Sequence, residues 1–337
     1  MNAPASYPPA PITDFAGLIA VITGGGTGMG RELARQLAAA GCDVAMCDVS
    51  SETMDETIDL AADDADAAGR DVRLTAFVAD VSDADAMNAF AEHVASEFDT
   101  DRVHLLFNNA GISGASSIVT ADHTDWDRVF GVTFGGVLNG MRSFMPMLMQ
   151  ADRGHVINTS SVNGLWACLG PSGAHSAYSA AKFAVRGLTE SLVVDFRMNA
   201  PHLTASVVMP GHIGTQIALN SMIAAGLDPK NLSEESLQRV RQSIEESGID
   251  ASGASDEDIR NLLQLRADSF ESSAPMTAAE AATIILDGVT SGAWRVLVGD
   301  DAVALDEMLR ATPTEVYTDA FMQQFQASGH FGGLIDN

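Results

Sequence analysis

Tyr178 and Lys182 are the two side chains of this sequence best suited to exchanging a proton. They lie four residues apart in the run Ser176-Ala-Tyr-Ser-Ala-Ala-Lys182, separated only by small residues. Phe183, Ala184, Val185, Leu188 and Leu192 follow, and the pattern predicts a buried helix. Positions four apart share one helical face, so the ammonium can approach the phenol. An ordinary tyrosine titrates near pH ~10, too high for ready proton exchange at neutrality. A nearby cation favours the phenolate and lowers that value, which makes the pair a candidate general acid and base. The same spacing arises by chance on many helices, so its meaning rests on the elements around it.

Those elements begin with Leu18 to Thr23, a short apolar run of buried-strand type. It feeds into Gly24-Gly-Gly-Thr27-Gly28-Met29-Gly30, and a helical pattern from Arg31 to Ala40 ends at Gly41. Strand, glycine loop and helix aim free backbone N–H groups at a pyrophosphate, with Gly24 for the turn, Gly28 for phosphate approach and Gly30 for helix–sheet packing. The next strand, Val44 to Cys47, ends at Asp48. That carboxylate falls about 20 residues past the glycines, where an acidic group meets the adenosine ribose and repels a 2′-phosphate. Val49 follows where an arginine would favour the phosphorylated cofactor, so NAD is expected over NADP; the lesser reading, that Asp48 caps the next helix, does not exclude this.

Further along, a helix from Ser51 to Ala68, a strand from Leu74 to Ala79, a helix from Asp83 to Phe98 and a strand from Val103 to Phe107 alternate. The alternation predicts an α/β fold with a doubly wound parallel sheet of about seven strands. Ligands of such sheets bind beyond the carboxyl ends of the strands, and Gly24, Asp48, Asp80 and Asn108 all fall there. Gly154 to Thr159 reads as a strand ending in Ser160-Ser161, Ala205 to Met209 as another, and Trp294 to Val298 as the seventh.

Of 337 residues 46% are apolar, enough for a sizeable core in one domain. The net charge is −27, and Lys182 and Lys230 are the only lysines, which disfavours nucleic-acid binding. Cys42, Cys47 and Cys168 make no disulfide framework, and a reducing, cytoplasmic setting fits. The scattered histidines lack metal-ligand spacing, so no metal is expected. No signal peptide or membrane-spanning run is read, and residues 1–13 are expected to form a flexible arm.

Taken together, Thr23-Gly-x-x-x-Gly-x-Gly30, Asn108-Asn-Ala110-Gly111, Ser161, Tyr178-x-x-x-Lys182 and Pro210-Gly-x-x-x-Thr215 resemble the short-chain dehydrogenase/reductase family in its compact form. The likeness spans roughly residues 15–215, with a weaker echo at 275–313. It implies that Thr27 and Met29 join the glycines at the cofactor and that Asp80 and Val81 contact the adenine. It also implies that Asn108, Ala110 and Gly111 line the groove, and that Pro210, Gly211, Ile213 and Thr215 hold the nicotinamide carboxamide. Ser161 would bond the substrate oxygen, with Ser160 in reserve, while Tyr178 and Lys182 also touch the nicotinamide ribose. Two departures stand out. The Ser161–Tyr178 interval is longer than usual, and Trp166, Cys168, Leu169, Pro171 and His175 are expected to bulge over the substrate. Thr133 stands where relatives carry a catalytic asparagine that holds a relay water; Asn139 is off that face.

The expectation is an NAD-dependent oxidoreductase interconverting a secondary alcohol and its ketone. Residues 14–311 would form one catalytic domain with a helical lid at 213–273, whose Ile217, Leu219, Met222, Ile223, Leu262, Leu263 and Leu265 line the pocket or pack a core. Residues 312–337 would form a tail that crosses to a neighbour in a homodimer or homotetramer. Alternatives are an NADPH-dependent carrier-linked ketone reductase and a catalytically weakened NAD-binding sensor.

Overall fold

The computed structural model describes residues 7–114, 117–119, 122–168, 175–246, 250–251 and 253–330. Five consecutive buried residues form β1 (Ile19–Thr23), an inner strand of the sheet. Burial on both faces is what a parallel strand covered by helices requires. β2 (Asp43–Asp48) and β3 (Leu74–Val78) lie on one side of it. β4 (Leu105–Asn108), β5 (Gly154–Thr159), β6 (Leu203–Pro210) and β9 (Arg295–Val298) follow on the other. The sheet order is β3-β2-β1-β4-β5-β6-β9, and every pairing is parallel. The chain reverses its direction of travel between β1 and β4, which opens a crevice at their carboxyl ends. A separate two-residue ladder joins β7 (Ile213–Gly214) to β8 (Met276–Thr277).

One face of the sheet carries α1 (Gly28–Ala39), α2 (Ser51–Ala67) and α10 (Ala278–Ser291) around Leu33, Leu37, Met46, Phe107 and Ile285. The other carries α3 (Ala84–Glu97), α5 (Gly136–Leu148) and α6 (Ser176–Asn199) around Phe90, Phe144 and Leu106, with the short α4 (His123–Phe130) packed beside α6. Each fully buried side chain of this size stabilises the fold by about 1.5–3 kcal/mol. α1 begins at Gly28 rather than after the glycines, so Gly28 and Gly30 fall in its first turn. A Cβ on Gly30 would overlap the Gly24 carbonyl, and only glycine lets α1 sit this close to the loop.

Three expectations need correction. The arm is docked from Tyr7 onward: Arg197 lies over the Tyr7 ring at 5.1 Å, Tyr7 packs against one core and Ile12 is buried with Phe15 in the other, because apolar side chains gain from leaving water; residues 1–6 lie outside the described residues. The tail folds back on its own chain as far as His330. α11 (Asp300–Ala311) and α12 (Asp319–Ala327) pack Phe321 and Phe325 edge-on against Trp166, whose indole N–H donates to the Val316 carbonyl at 3.0 Å. Trp166 is therefore core and does not overhang a substrate, while Leu169 and Pro171 lie outside the described residues.

Residues 213–273, expected to act as a lid, hold α7 (Ile217–Ala224), α8 (Glu234–Glu246) and α9 (Asp256–Ser272). The apolar residues among them divide. Leu263 joins Leu232, Leu237, Val240, Ile244 and Ile259 in a small core, with Met222 and Leu262 against it, and Leu265 is exposed. α7 buries none of its residues, although its sequence is largely apolar. Among the described residues no helix is long and apolar enough to cross a membrane.

Candidate active site

A cavity of about 620 Å³ opens at the carboxyl ends of β1, β2 and β4. Gly24, Thr27, Gly28, Met29, Asp48, Asp80, Val81, Ala110, Gly111 and Thr215 all line it, so ten positions scattered through the sequence share one wall. Gly24 and Gly28 adopt φ of 70° and 55°, which side-chain-bearing residues avoid. The amino end of α1 faces this space, and its free N–H groups and dipole suit a phosphate. At the far end the Asp48 carboxylate accepts from the Gly26 N–H at 3.0 Å and from the Val49 N–H at 2.7 Å. Each oxygen retains lone-pair capacity for a ribose hydroxyl. Arg31 donates to the Gly26 carbonyl and pairs with Glu56 at 2.6 Å, which fixes the glycine loop against α2. Volume, glycine cradle and terminal carboxylate fit a dinucleotide.

Asn108 does not line the cavity. It is buried and donates to Asn158 Oδ1 at 2.8 Å, clamping β4 to β5, and Asn109 takes the place at the wall. Of residues 210–215 only Thr215 lines the cavity; Pro210 and Ile213 are buried and Gly211 backs onto Asp301.

The proton-transfer groups meet where β5 runs into α6. Tyr178 is hydrogen-bonded to Ser161. Lys182 is 3% exposed, donates to the Thr159 carbonyl at 2.8 Å and lies 5.5 Å from the centre of the Tyr178 ring. Ser160 instead donates to the Lys182 backbone carbonyl at 2.8 Å, which leaves Ser161 as the serine facing the tyrosine. A Cβ placed on Gly111 would stand 3.5 Å from Lys182 Nζ and 3.8 Å from Thr133 Oγ1. Gly111 also lines the dinucleotide cavity, so the amine sits directly behind its wall.

The electrostatics differ from the simple expectation. Burial pushes Tyr178 up to about 12, against a downward pull from Ser161, and brings Lys182 down to about 7. Without a second charge nearby, desolvation outweighs any lowering of the tyrosine by its lysine. Thr133 sits at the centre of a π-helical turn, Gly131–Gly135, and is fully buried. Its hydroxyl donates to the Ile112 carbonyl at 2.9 Å and accepts from the Ile112 N–H at 3.4 Å. It pins the cavity wall rather than presenting a side-chain amide to a water, while Asn139 donates to the Val81 carbonyl at 2.9 Å.

Asn220 on α7 escaped the sequence reading, since nothing local distinguishes it from a surface asparagine. It lines the cavity and its amide donates to Thr27 Oγ1 at 3.0 Å. Ser221 beside it accepts from the Ser113 N–H at 2.8 Å. These two bonds hold an otherwise unburied helix over the groove. Asn220→Ala is expected to raise the dissociation rate of a bound dinucleotide about threefold to tenfold, the worth of one such bond. Stopped-flow displacement measures it, and an unchanged rate would show that α7 does not retain the cofactor.

The family profile described as short chain dehydrogenase matches residues 18–223. SadH of Mycobacterium tuberculosis is 33% identical over 299 residues, spanning 89% of this chain and 92% of that protein. Levodione reductase of Leifsonia aquatica is 33% identical over 223 residues, spanning 66% and 78% respectively. A short chain dehydrogenase/reductase from Burkholderia phymatum, crystallised with NAD, superposes with a TM-score of 0.67 at 28% identity, covering 90% of this chain and 96% of its own.

Proposed function

The chain belongs to the short chain dehydrogenase family, an oxidoreductase family with a nicotinamide dinucleotide cofactor, and on that premise we propose that it interconverts a secondary alcohol and its ketone with NAD. The observation that carries the reading is the convergence of Ser161, Tyr178 and Lys182 behind the Gly111 wall of the dinucleotide cavity. When bound, the nicotinamide supplies or accepts the hydride. Ser161 bonds the substrate oxygen and sets its distance from Tyr178. In reduction the neutral Tyr178 hydroxyl gives its proton to the oxygen of the forming alcohol. In oxidation the phenolate takes that proton back. Lys182, held against the cavity wall, supplies a nearby charge when protonated. Positioning accounts for much of the acceleration.

Asp48 supports NAD over NADP, since its carboxylate would face a 2′-phosphate at short range and Val49 beside it is exposed and uncharged. Asp48→Ser should therefore narrow the ratio of kcat/KM for NAD over NADP by about 10-fold or more, mainly by weakening NAD and relieving repulsion of the phosphate. Steady-state assays with both cofactors read the ratio. The decisive test of the reading itself is a panel of secondary alcohols assayed at the reduced-nicotinamide absorbance band. A protein that binds NAD yet turns over none of them, nor any of the matching ketones in reverse, would favour the sensor reading.

A further inference from the structure

Asp301, at the start of α11, is 2% exposed, and among the described residues no lysine or arginine forms an ion pair with it. A buried carboxylate without a lysine or arginine partner leans on its hydrogen bonds, and such a group is rarely kept without a task. One carboxylate oxygen accepts from the His212 N–H at 2.6 Å, and the other from the Ala302 N–H at 2.8 Å. The carboxylate also occupies the space beside two glycines. A Cβ on Gly211 or on Gly299 would overlap it, so both positions are bare to admit it. Gly299 ends β9 at φ 106°, a backbone that side chains rarely adopt.

What Asp301 touches is the turn that leaves β6. Gly211 N–H donates to the Val298 carbonyl at 2.9 Å, and the buried His212 ring hydrogen-bonds the Phe270 carbonyl at 2.8 Å and packs on the Phe270 ring. The turn is thereby fastened to the C-terminal strand and helix on one side and to helix α9 on the other. It then delivers Thr215 to the cavity wall.

We propose that Asp301 is a positioning residue for the nicotinamide end of the cofactor, fixing the Gly211–His212 backbone and through it the Thr215 that lines the cavity. The proposal rests on the functional reading above, together with the family resemblance that puts this turn at the nicotinamide; here its Thr215 lines the cavity. Burial raises Asp301 above the usual carboxylate range, while the His212 and Ala302 N–H groups and the His212 and His330 imidazoles pull it down. Its two N–H bonds therefore demand two acceptor oxygens, which an asparagine cannot supply.

The test compares NAD with ADP-ribose, which lacks the nicotinamide, by calorimetry on the full chain. Wild type is expected to bind NAD more tightly than ADP-ribose. Asp301→Asn is expected to lose about tenfold in NAD affinity while its ADP-ribose affinity stays within about twofold. Gly211→Ala, which pushes on the same carboxylate from the other side, should reproduce that selective loss. The double variant should lose less than the two single losses combined, because one contact is removed twice. If either variant weakens NAD and ADP-ribose equally, or if both keep the wild-type preference, Asp301 serves the fold alone and the proposal fails. A wild type that binds ADP-ribose as tightly as NAD overturns it differently, by removing the premise that the turn meets the nicotinamide.

Discussion

Replacing Tyr178 with Phe is expected to lower turnover by about 10³–10⁴-fold while the affinity for NAD stays within about twofold. The substitution removes one oxygen and leaves the ring where it is. That oxygen is hydrogen-bonded to Ser161, and the other members of the site, Lys182 on Thr159 and Ser160 on the helix backbone, are held by bonds that do not involve it. The glycine loop and Asp48 lie at the other end of the cavity, so dinucleotide binding should survive. Loss of one hydrogen bond costs about 1 kcal/mol, too little to unfold a domain of this size. Steady-state rates and calorimetric NAD titration decide the matter. A phenylalanine variant within tenfold of wild type would transfer the acid/base role to another group.

Lys182→Met carries the second large effect, in two measurements. Turnover should fall by about 10²–10³-fold, because the site loses the cation that offsets desolvation of the phenolate. Stability should change in a pH-dependent way. Burial holds Lys182 at about 7 in the folded protein, below the ordinary lysine value. Between pH ~7 and ~10.5 the unfolded chain therefore binds a proton that the folded chain has released, and stability rises with pH across that window. Tyr178 works in the opposite sense. At about 12 in the folded state it keeps its proton from pH ~10 to ~12 while the unfolded chain loses it, so its contribution declines there. From these two groups alone, stability of the cofactor-free protein should peak near pH ~10. The methionine variant should lack the rise above pH ~7, and thermal unfolding followed from pH 6 to 10 measures the difference. Parallel curves for the two proteins would mean that Lys182 is charged throughout that range in the folded state.

The sheet was legible because its signals are local. Runs such as Leu18 to Thr23 alternate with helical stretches at a spacing that only a parallel sheet accommodates, and the observed strand order agrees. The cavity wall was legible for the same reason. Gly24, Asp48, Asp80 and Gly111 sit at or just beyond strand ends, Gly28 opens the helix that follows β1, and strand ends of a parallel sheet share one edge. The errors have a common source. Asn108 reads like its neighbours Asn109 and Ala110, but alternation along a strand turns it inward to Asn158. Trp166 reads like a pocket residue until a segment some 150 positions later covers it. Asn220 and Asp301 acquire partners 193 and 89 residues away, which no window on the sequence contains.

The order of motifs alone determined the family, the layered fold and the edge where a dinucleotide would lie, since each depends on residue type and on the fixed periods of helix and strand. Tertiary structure decided the rest. It turned Ser161 rather than Ser160 toward Tyr178, bound Thr133 to the Ile112 backbone, drew the tail over Trp166 and set Asp301 behind Gly211. It also set the protonation of the site. How far a phenol and an amine are removed from water is a property of everything packed around them, and here desolvation drives both toward their neutral forms.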